Sequence, residues 1–579
     1  MNDSLVFFRD RIYEMLFDYT IDIYRAPLLN TRILIEEYLA LEKDARNGKI
    51  PEKRLDPVQE ELLFSYKNDE VIKKILGPEE RLFLMKKMES GDKQMRLEAC
   101  RYLRGRLTRS IYYKELVDKE LVDAIKDALL QQGKKKELDL LSRIFVSELY
   151  KRGYSYEYLF HIFNRLDDVP RDNDGIGNKF NSILDKIDFK ERKYHVFIGI
   201  SIADTGGKKL ADELQRLFNG LQIIDFDDGQ NYSNEAMLLL EKEGSSLDVD
   251  ELKMCRVEMS GLDAFSAARE VSDFLDFGTR SLLFLLNDSF PSCLSHCLVR
   301  EVENGMVAYP KFRSQRHKVI KPHPGLRKKL VEKSHRSLSI LFRKTRGGHE
   351  FDRLAKALDL HNAFLTINNY QNSFLCLWSA LEVLCDGPGR VNRALRSALE
   401  LKYLARVVTD MGQKLSEACE AYISKRGREL EVTKDQFVFS VLFLSDWSEE
   451  RDGLYEKLDR DPLVRNRLFE ISGLNSGKKL QKRILEYGDR ISWHIERMYR
   501  TRNSIVHSGD MPLFLDSLGQ HLHIYLDVLL DAILSHFEEG NFSYVEDVIM
   551  SIEYEHQIYF QKLKDTENIT LDDIEWLCW

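Results

Sequence analysis

Apolar residues recur every three or four positions through most of the chain, and the stretches that break this rule divide it. In "LLNTRILIEEYLALEKDA" (28–45) and "ELDLLSRIFVSELYKRG" (137–153) the spacing predicts amphipathic helices, and residues 1–188 read this way almost throughout. The loop "LDDVPRDNDGIGNKF", Leu166 to Phe180, gathers Asp, Asn, Gly and Pro at a boundary. The period then changes: "KYHVFIGI" (193–200) is a short β-rich run, followed by helical "KKLADELQRLF" and a second β-run, "LQIIDFDD". "CRVEMSGLDAFSAAREVSDFLDF" repeats strand, turn and amphipathic helix before the apolar "SLLFLL", so residues 189–310 are expected to form a small α/β domain. Helical spacing returns in "NSFLCLWSALEVLCD", "SWHIERMYRTRNSIVHSG" and "SLGQHLHIYLDVLLDAILSHF", predicting a helical bundle over 350–579 with an acidic C-terminal extension. The expected fold class is mainly α with an α/β middle domain and a C-terminal helical bundle. No fixed sequence period supports a repeat array.

At 579 residues the chain exceeds one hydrophobic core, and about 100–200 residues per domain predicts three or four domains. Its 43% hydrophobic and 31% charged residues with only 12 prolines exclude long disordered tracts. The opening "MNDSLVFFRDRIYEMLF" lacks the pattern of a secretory leader, and charges interrupt each later apolar run before ~18 residues, which points to a cytoplasmic protein with no membrane partner. Eight sparse cysteines suit reduced thiols. "CLSHC", Cys293 to Cys297 around His296, brings soft ligands together, but a structural zinc needs further ligands and none is paired with it, so buried thiols are expected and no metal. "ADTGGKK" sets Gly206 and Gly207 before Lys208 without the first glycine or the Ser/Thr of a phosphate loop, and reads as a strand-to-helix turn. Asp225, Asp227 and Asp228 of "IIDFDD" offer carboxylates to Mg²⁺, yet no glycine loop or second acidic cluster accompanies them.

Charge is distributed unevenly. Residues 311–349 form a basic connecting segment: from Lys311 to Arg346 thirteen Lys or Arg stand against one acid, Glu332, within a chain whose net charge is −9. Two readings stay open, a solvated linker or a surface for the phosphates of RNA through Lys318, Lys321, Arg327, Lys328, Lys329, Arg343, Lys344 and Arg346. His317, His323, His335 and Phe342 lie among these cations and supply rings on which unpaired bases can stack.

The chemistry concentrates in "RMYRTRNSIVHSGDMP", Arg497 to Pro512. On a helix Asn503 and His507 are four apart and share a face, with Arg502 one step round. Ile495, Met498, Ile505 and Val506 are expected on the buried side, and Gly509 with Pro512 as a helix stop. His507 in the last turn has one reading as a cap on the helix dipole. The other is a proton carrier near neutral pH, with Arg502 as a fixed charge for phosphate and Asn503 orienting either.

Arg502-Asn503-Ser504-Ile505-Val506-His507 resembles the R-N-x-x-x-H signature of HEPN domains, and "YRTRNSIVHSG" looks like their Apea-like branch. "SFLCLWSALEVLCD", Ser373 to Asp386, is similar to the earlier HEPN helix carrying an aromatic and an acid, here Trp378 and Glu382. The likeness spans roughly residues 350–540 and none of the N-terminal half. It implies a four- or five-helix bundle that forms a homodimer with two motifs facing one cleft. It also implies an endoribonuclease without metal or other cofactor, in which the 2′-hydroxyl attacks the adjacent phosphate. In that reaction His507 is general acid or base, Arg502 stabilises the phosphorane and Asn503 positions the imidazole or the phosphate; Glu382 either pairs with Arg502 or is an ordinary exposed helical Glu, and Arg497 and Arg500 are either solvated helix charges or hold flanking phosphates. Large HEPN proteins of this type resemble toxins of antiphage abortive infection, so cellular RNA, transfer RNA included, is the expected substrate. The N-terminal half is then expected to detect a phage-derived trigger or to hold the nuclease closed. Some HEPN domains only bind or assemble, and a non-catalytic RNA-binding scaffold is the second reading.

Overall fold

The computed structural model describes residues 3–17, 29–108, 121–164 except 130 and 132, and in the middle of the chain 190–201, 221–225, 252–272 and 293–310 with scattered positions between. It continues over 349–508 except 368 and 369, and over 515–578 except 540, 541 and 543. The basic segment, Gly206 to Lys208, Asp227, Asp228, "SLLFLL", Gly509 and Pro512 lie outside the described residues.

Helices dominate. The N-terminal set is α1 (Asp3–Phe17), α2 (Thr31–Arg46), α3 (Asp56–Asn68), α4 (Glu70–Ile75), α5 (Pro78–Glu89), α6 (Lys93–Thr108), α7 (Lys135–Arg152) and α8 (Tyr156–Asn164). Asn30 caps α2 by accepting from the Ile33 N–H at 3.0 Å, and Asp69 caps α4 through Ile72 at 2.9 Å. Leu34, Tyr38, Leu62, Tyr66, Met88 and Leu103 close one core between α2, α3, α5 and α6.

The middle of the chain builds β1 (Arg192–Ser201), β2 (Leu221–Asp225), β3 (Leu252–Gly261), β4 (Cys293–Glu301) and β5 (Val307–Ala308) in the order β2-β3-β1-β4-β5. All the pairings are antiparallel. This modifies the expected α/β domain: strand and helix alternate along the chain, but strands paired antiparallel make an α+β arrangement instead of parallel crossover units. Asp263 starts the helix over 264–272 by accepting from the Phe265 and Ser266 N–H groups at 2.9 and 2.8 Å, and it also accepts from Ser155 Oγ at 2.7 Å. "CLSHC" is the start of β4. Cys297 is buried, its thiol donates to the Pro310 carbonyl at 3.6 Å, and burial pushes it up to about 12, far from a metal-ready thiolate.

The C-terminal helices are α9 (His349–Thr366), α10 (Tyr370–Cys385), α11 (Pro388–Leu401), α12 (Tyr403–Glu429), α13 (Lys434–Phe443), α14 (Ser448–Lys457), α15 (Pro462–Ser472), α16 (Gly477–Ser508), α17 (Leu515–Glu539), α18 (Val545–Asp565) and α19 (Ile574–Cys578). Their core joins Phe374, Leu377, Leu381 and Leu384 of α10 to Ile484, Ile491, Ile495, Met498 and Ile505 of α16, and to Leu522, Leu526 and Leu529 of α17. Val506, expected on that side, is half exposed although it lies only about 20° round from Ile495 on the helix.

The chain forms two compact units. One holds the described helices up to Glu148 together with everything from α9 onward; the other holds the end of α7, α8 and the sheet. The sequence boundaries at 188 and 350 separate the N-terminal and C-terminal helices, whereas the contacts group α1–α6 with α9–α19. Among the described residues no helix is long and apolar enough to cross a membrane.

Candidate functional site

Two helix ends build the site. α10 terminates in a left-handed cap: Asp386 takes φ 56° and Gly387 φ 109°, and the Gly387 N–H donates to the Glu382 carbonyl at 2.9 Å. Glu382 therefore sits in a closed last turn with its backbone pinned. One turn back, the buried Trp378 donates its indole N–H to Glu382 Oε1 at 2.8 Å, which orients the carboxylate.

The second oxygen of that carboxylate faces α16. Arg502 Nη2 meets Glu382 Oε2 at 3.3 Å, and Arg502 Nη1 donates to Asn503 Oδ1 at 3.0 Å. The guanidinium is thus gripped on two sides, with further donors of its planar fork left for an anion. His507 is exposed in the last turn of α16, on the face of Asn503, and no described residue hydrogen-bonds its ring. Arg502, Asn503 and Glu382 are brought together as the sequence motif suggests, and His507 stands beside them open to solvent.

Arg497 and Arg500 are elsewhere. Arg497 Nη2 contacts Glu37 Oε2 at 3.0 Å and Glu61 Oε2 at 2.6 Å, and Arg500 Nη2 contacts Glu37 Oε1 at 2.6 Å. Their charge, expected on flanking phosphates, is neutralised by carboxylates of α2 and α3, because these positions face the N-terminal helices. Burial would raise Glu37, but Arg497 and Arg500 overcome it and hold the carboxyl down at about 2. Glu61 moves the other way: burial and the Glu37 charge push it up against the pull of Arg497.

The same face of α16 carries more of this interface. Trp493 donates to Glu60 Oε2 at 3.2 Å and packs on Phe64 at 5.6 Å between ring centroids. Arg54 meets Glu496 at 2.7 Å and lies 4.2 Å over the Tyr499 ring. Tyr499 in turn packs 5.7 Å from Trp378. A continuous set of contacts runs from Arg54 through Tyr499, Trp378 and Glu382 to Arg502. Glu37, Glu61 and Arg54 escaped the sequence reading. The available signal was the i, i+3 pair Arg497 and Arg500 following Trp493 on one helical face, which marks an interface without naming its partner.

No family model, curated protein or solved structure matches the chain.

Proposed function

We propose that the C-terminal bundle is a HEPN-type endoribonuclease that cleaves cellular RNA without a metal, restrained by the N-terminal helices. The observation that carries this reading is Arg502, held between Glu382 and Asn503 beside an unengaged His507. A guanidinium fixed on two sides binds phosphate with little reorganisation and is positioned to stabilise the negative charge of a phosphorane. The exposed imidazole takes the proton from the attacking 2′-hydroxyl or gives one to the leaving 5′-oxygen. The products are a 2′,3′-cyclic phosphate and a 5′-hydroxyl, so oxygen, proton and leaving group balance without a co-reactant.

The contacts of Glu37, Glu61, Glu60 and Arg54 with α16 favour control by the N-terminal half, since they engage the helix that carries the motif. The setting, a toxin in antiphage abortive infection acting as a homodimer and released by a phage-derived trigger, rests on the resemblance alone.

The test incubates purified wild type and His507→Ala with labelled total and transfer RNA in EDTA and maps fragment termini. Cyclic phosphate ends from wild type alone support the proposal. Equal cutting by both overturns the assignment of His507. Silence of both in the presence of a Glu37→Gln companion that is also silent favours the scaffold reading.

A further inference from the structure

Outside the motif, one cluster has the chemistry of a metal site. His361 stands in the penultimate turn of α9, and His523 and Asp527 lie four apart on one face of α17. One donor atom from each of the three lies within 4.8 Å of the other two. The two oxygens of Asp527 are divided between the rings: Oδ1 lies 2.9 Å from His361 Nε2 and Oδ2 lies 3.3 Å from His523 Nδ1. The imidazoles stack at 4.7 Å between centroids, and Phe364, one turn along α9 from His361, stacks on His523 at 4.9 Å.

We infer that His361, His523 and Asp527 bind one divalent transition-metal ion, Zn²⁺ in the first instance, which clips α9 to α17. Donors around a tetrahedral Zn²⁺ at ~2.1 Å stand about 3.4 Å apart, so metal binding closes the donors by on the order of 1 Å and turns the partly exposed His361 out of its stack on His523, bringing both ring planes onto the ion. Two nitrogens and a single carboxylate select a borderline ion such as Zn²⁺, Co²⁺ or Ni²⁺ over Mg²⁺ or Ca²⁺, which need a set of oxygens. The scaffold suits the task. His523 is buried and held by two stacked rings, while Asp527 and part of His361 reach solvent, giving the ion an entry side and a water for its fourth position. The clip would fasten the first helix of the C-terminal set to a helix at its core, and so acts on the stability of the bundle.

The experiment uses the full chain after EDTA treatment and dialysis. ZnCl₂ is titrated by calorimetry, CoCl₂ by visible absorption, and melting is followed with and without Zn²⁺. One-site binding and a rise in Tm on the order of several degrees at an excess of ~100 Kd are expected. His361→Ala and Asp527→Asn are each expected to weaken binding at least ~10-fold and abolish the Tm rise. Asp527 is exposed, so its variant stays folded even where His361→Ala does not. Absence of one-site binding, or one-site binding unchanged in Asp527→Asn, overturns the inference.

Discussion

Glu37→Gln removes one charge from a partly buried four-residue set, Glu37, Glu61, Arg497 and Arg500, whose formal charges cancel. In the folded protein Arg497 and Arg500 hold the Glu37 carboxyl down at about 2 against an ordinary 4.5, which is worth on the order of 3 kcal/mol at neutral pH. Part of this returns on substitution, because Glu61 is pushed up by burial and by the Glu37 charge and then faces Arg497 alone. A net loss of about 2 kcal/mol is expected, below the ~3–5 kcal/mol typical of breaking a wholly buried pair. Melting by calorimetry should show Tm lower by roughly 2 °C. A double-mutant cycle with Arg500→Gln should give a coupling of about 1–2 kcal/mol. A coupling under ~0.5 kcal/mol refutes the argument, since the pair then contributes no more than exposed charges do.

The same variant carries a pH signature. A carboxyl with a depressed folded pKa contributes stability above its unfolded value, and loses it as pH falls through the folded value. The gap between wild type and Glu37→Gln should therefore close progressively as pH falls from 4.5 to about 2, and above 4.5 it should narrow as the raised Glu61 of the wild type ionises beside Glu37. On the ribonuclease reading, loosening this contact also raises RNA cleavage at neutral pH.

Glu382→Gln keeps an oxygen for the Trp378 indole but loses the ion pair to Arg502; stability should change by less than ~1 kcal/mol and, on the ribonuclease reading, cleavage should fall at least ~10-fold, unchanged cleavage removing Glu382 from the site. Burial pushes the Cys100, Cys297, Cys385 and Cys578 thiols up to about 12, so peptide mapping after iodoacetamide at pH 8 should find these four unlabelled until denaturant is added. Arg54→Ala removes the cation over Tyr499 and the partner of Glu496, and on the ribonuclease reading should raise cleavage several-fold although Arg54 belongs to the N-terminal half; identical rates would show that the contacts leading to Arg502 carry no coupling.

Local periodicity made much of this architecture readable. "KYHVFIGI" anticipates β1 within two residues at either end, and the three-and-four spacing around Ile495 and Met498 places the core face of α16. The i, i+4 relation of Trp378 and Glu382 and of Asn503 and His507 follows from helix geometry alone. What was not readable depends on contacts between distant residues. Nothing near Arg497 or Arg500 announces acids more than four hundred residues earlier, so these cations resemble a phosphate-binding face until the packing of α2 and α3 against α16 is known. Strand direction is similarly hidden, because a strand–helix–strand alternation is compatible with either sense of pairing. His361 and His523 went unweighed because each is an ordinary helical histidine, and only packing of α9 against α17 brings them together.

Physical continuity gives the N-terminal helices a route to the motif. α16 is one helix of 32 residues, and Arg500, which binds Glu37, precedes Arg502 by only two positions. These two arginines point to different sides of the same turn, one toward α2, the other toward the end of α10. Displacing α2 and α3 would part Arg497 and Arg500 from their carboxylates and open both guanidinium groups to solvent and to other anions. RNA phosphates are such anions. On the ribonuclease reading, Glu37 and Glu61 therefore compete with substrate for the same two cations, and any trigger that binds the displaced helices shifts the equilibrium only by its preference for that state. The flanking phosphate contacts expected from the sequence would then belong to the released protein, while the Glu37 and Glu61 pairs belong to the restrained one.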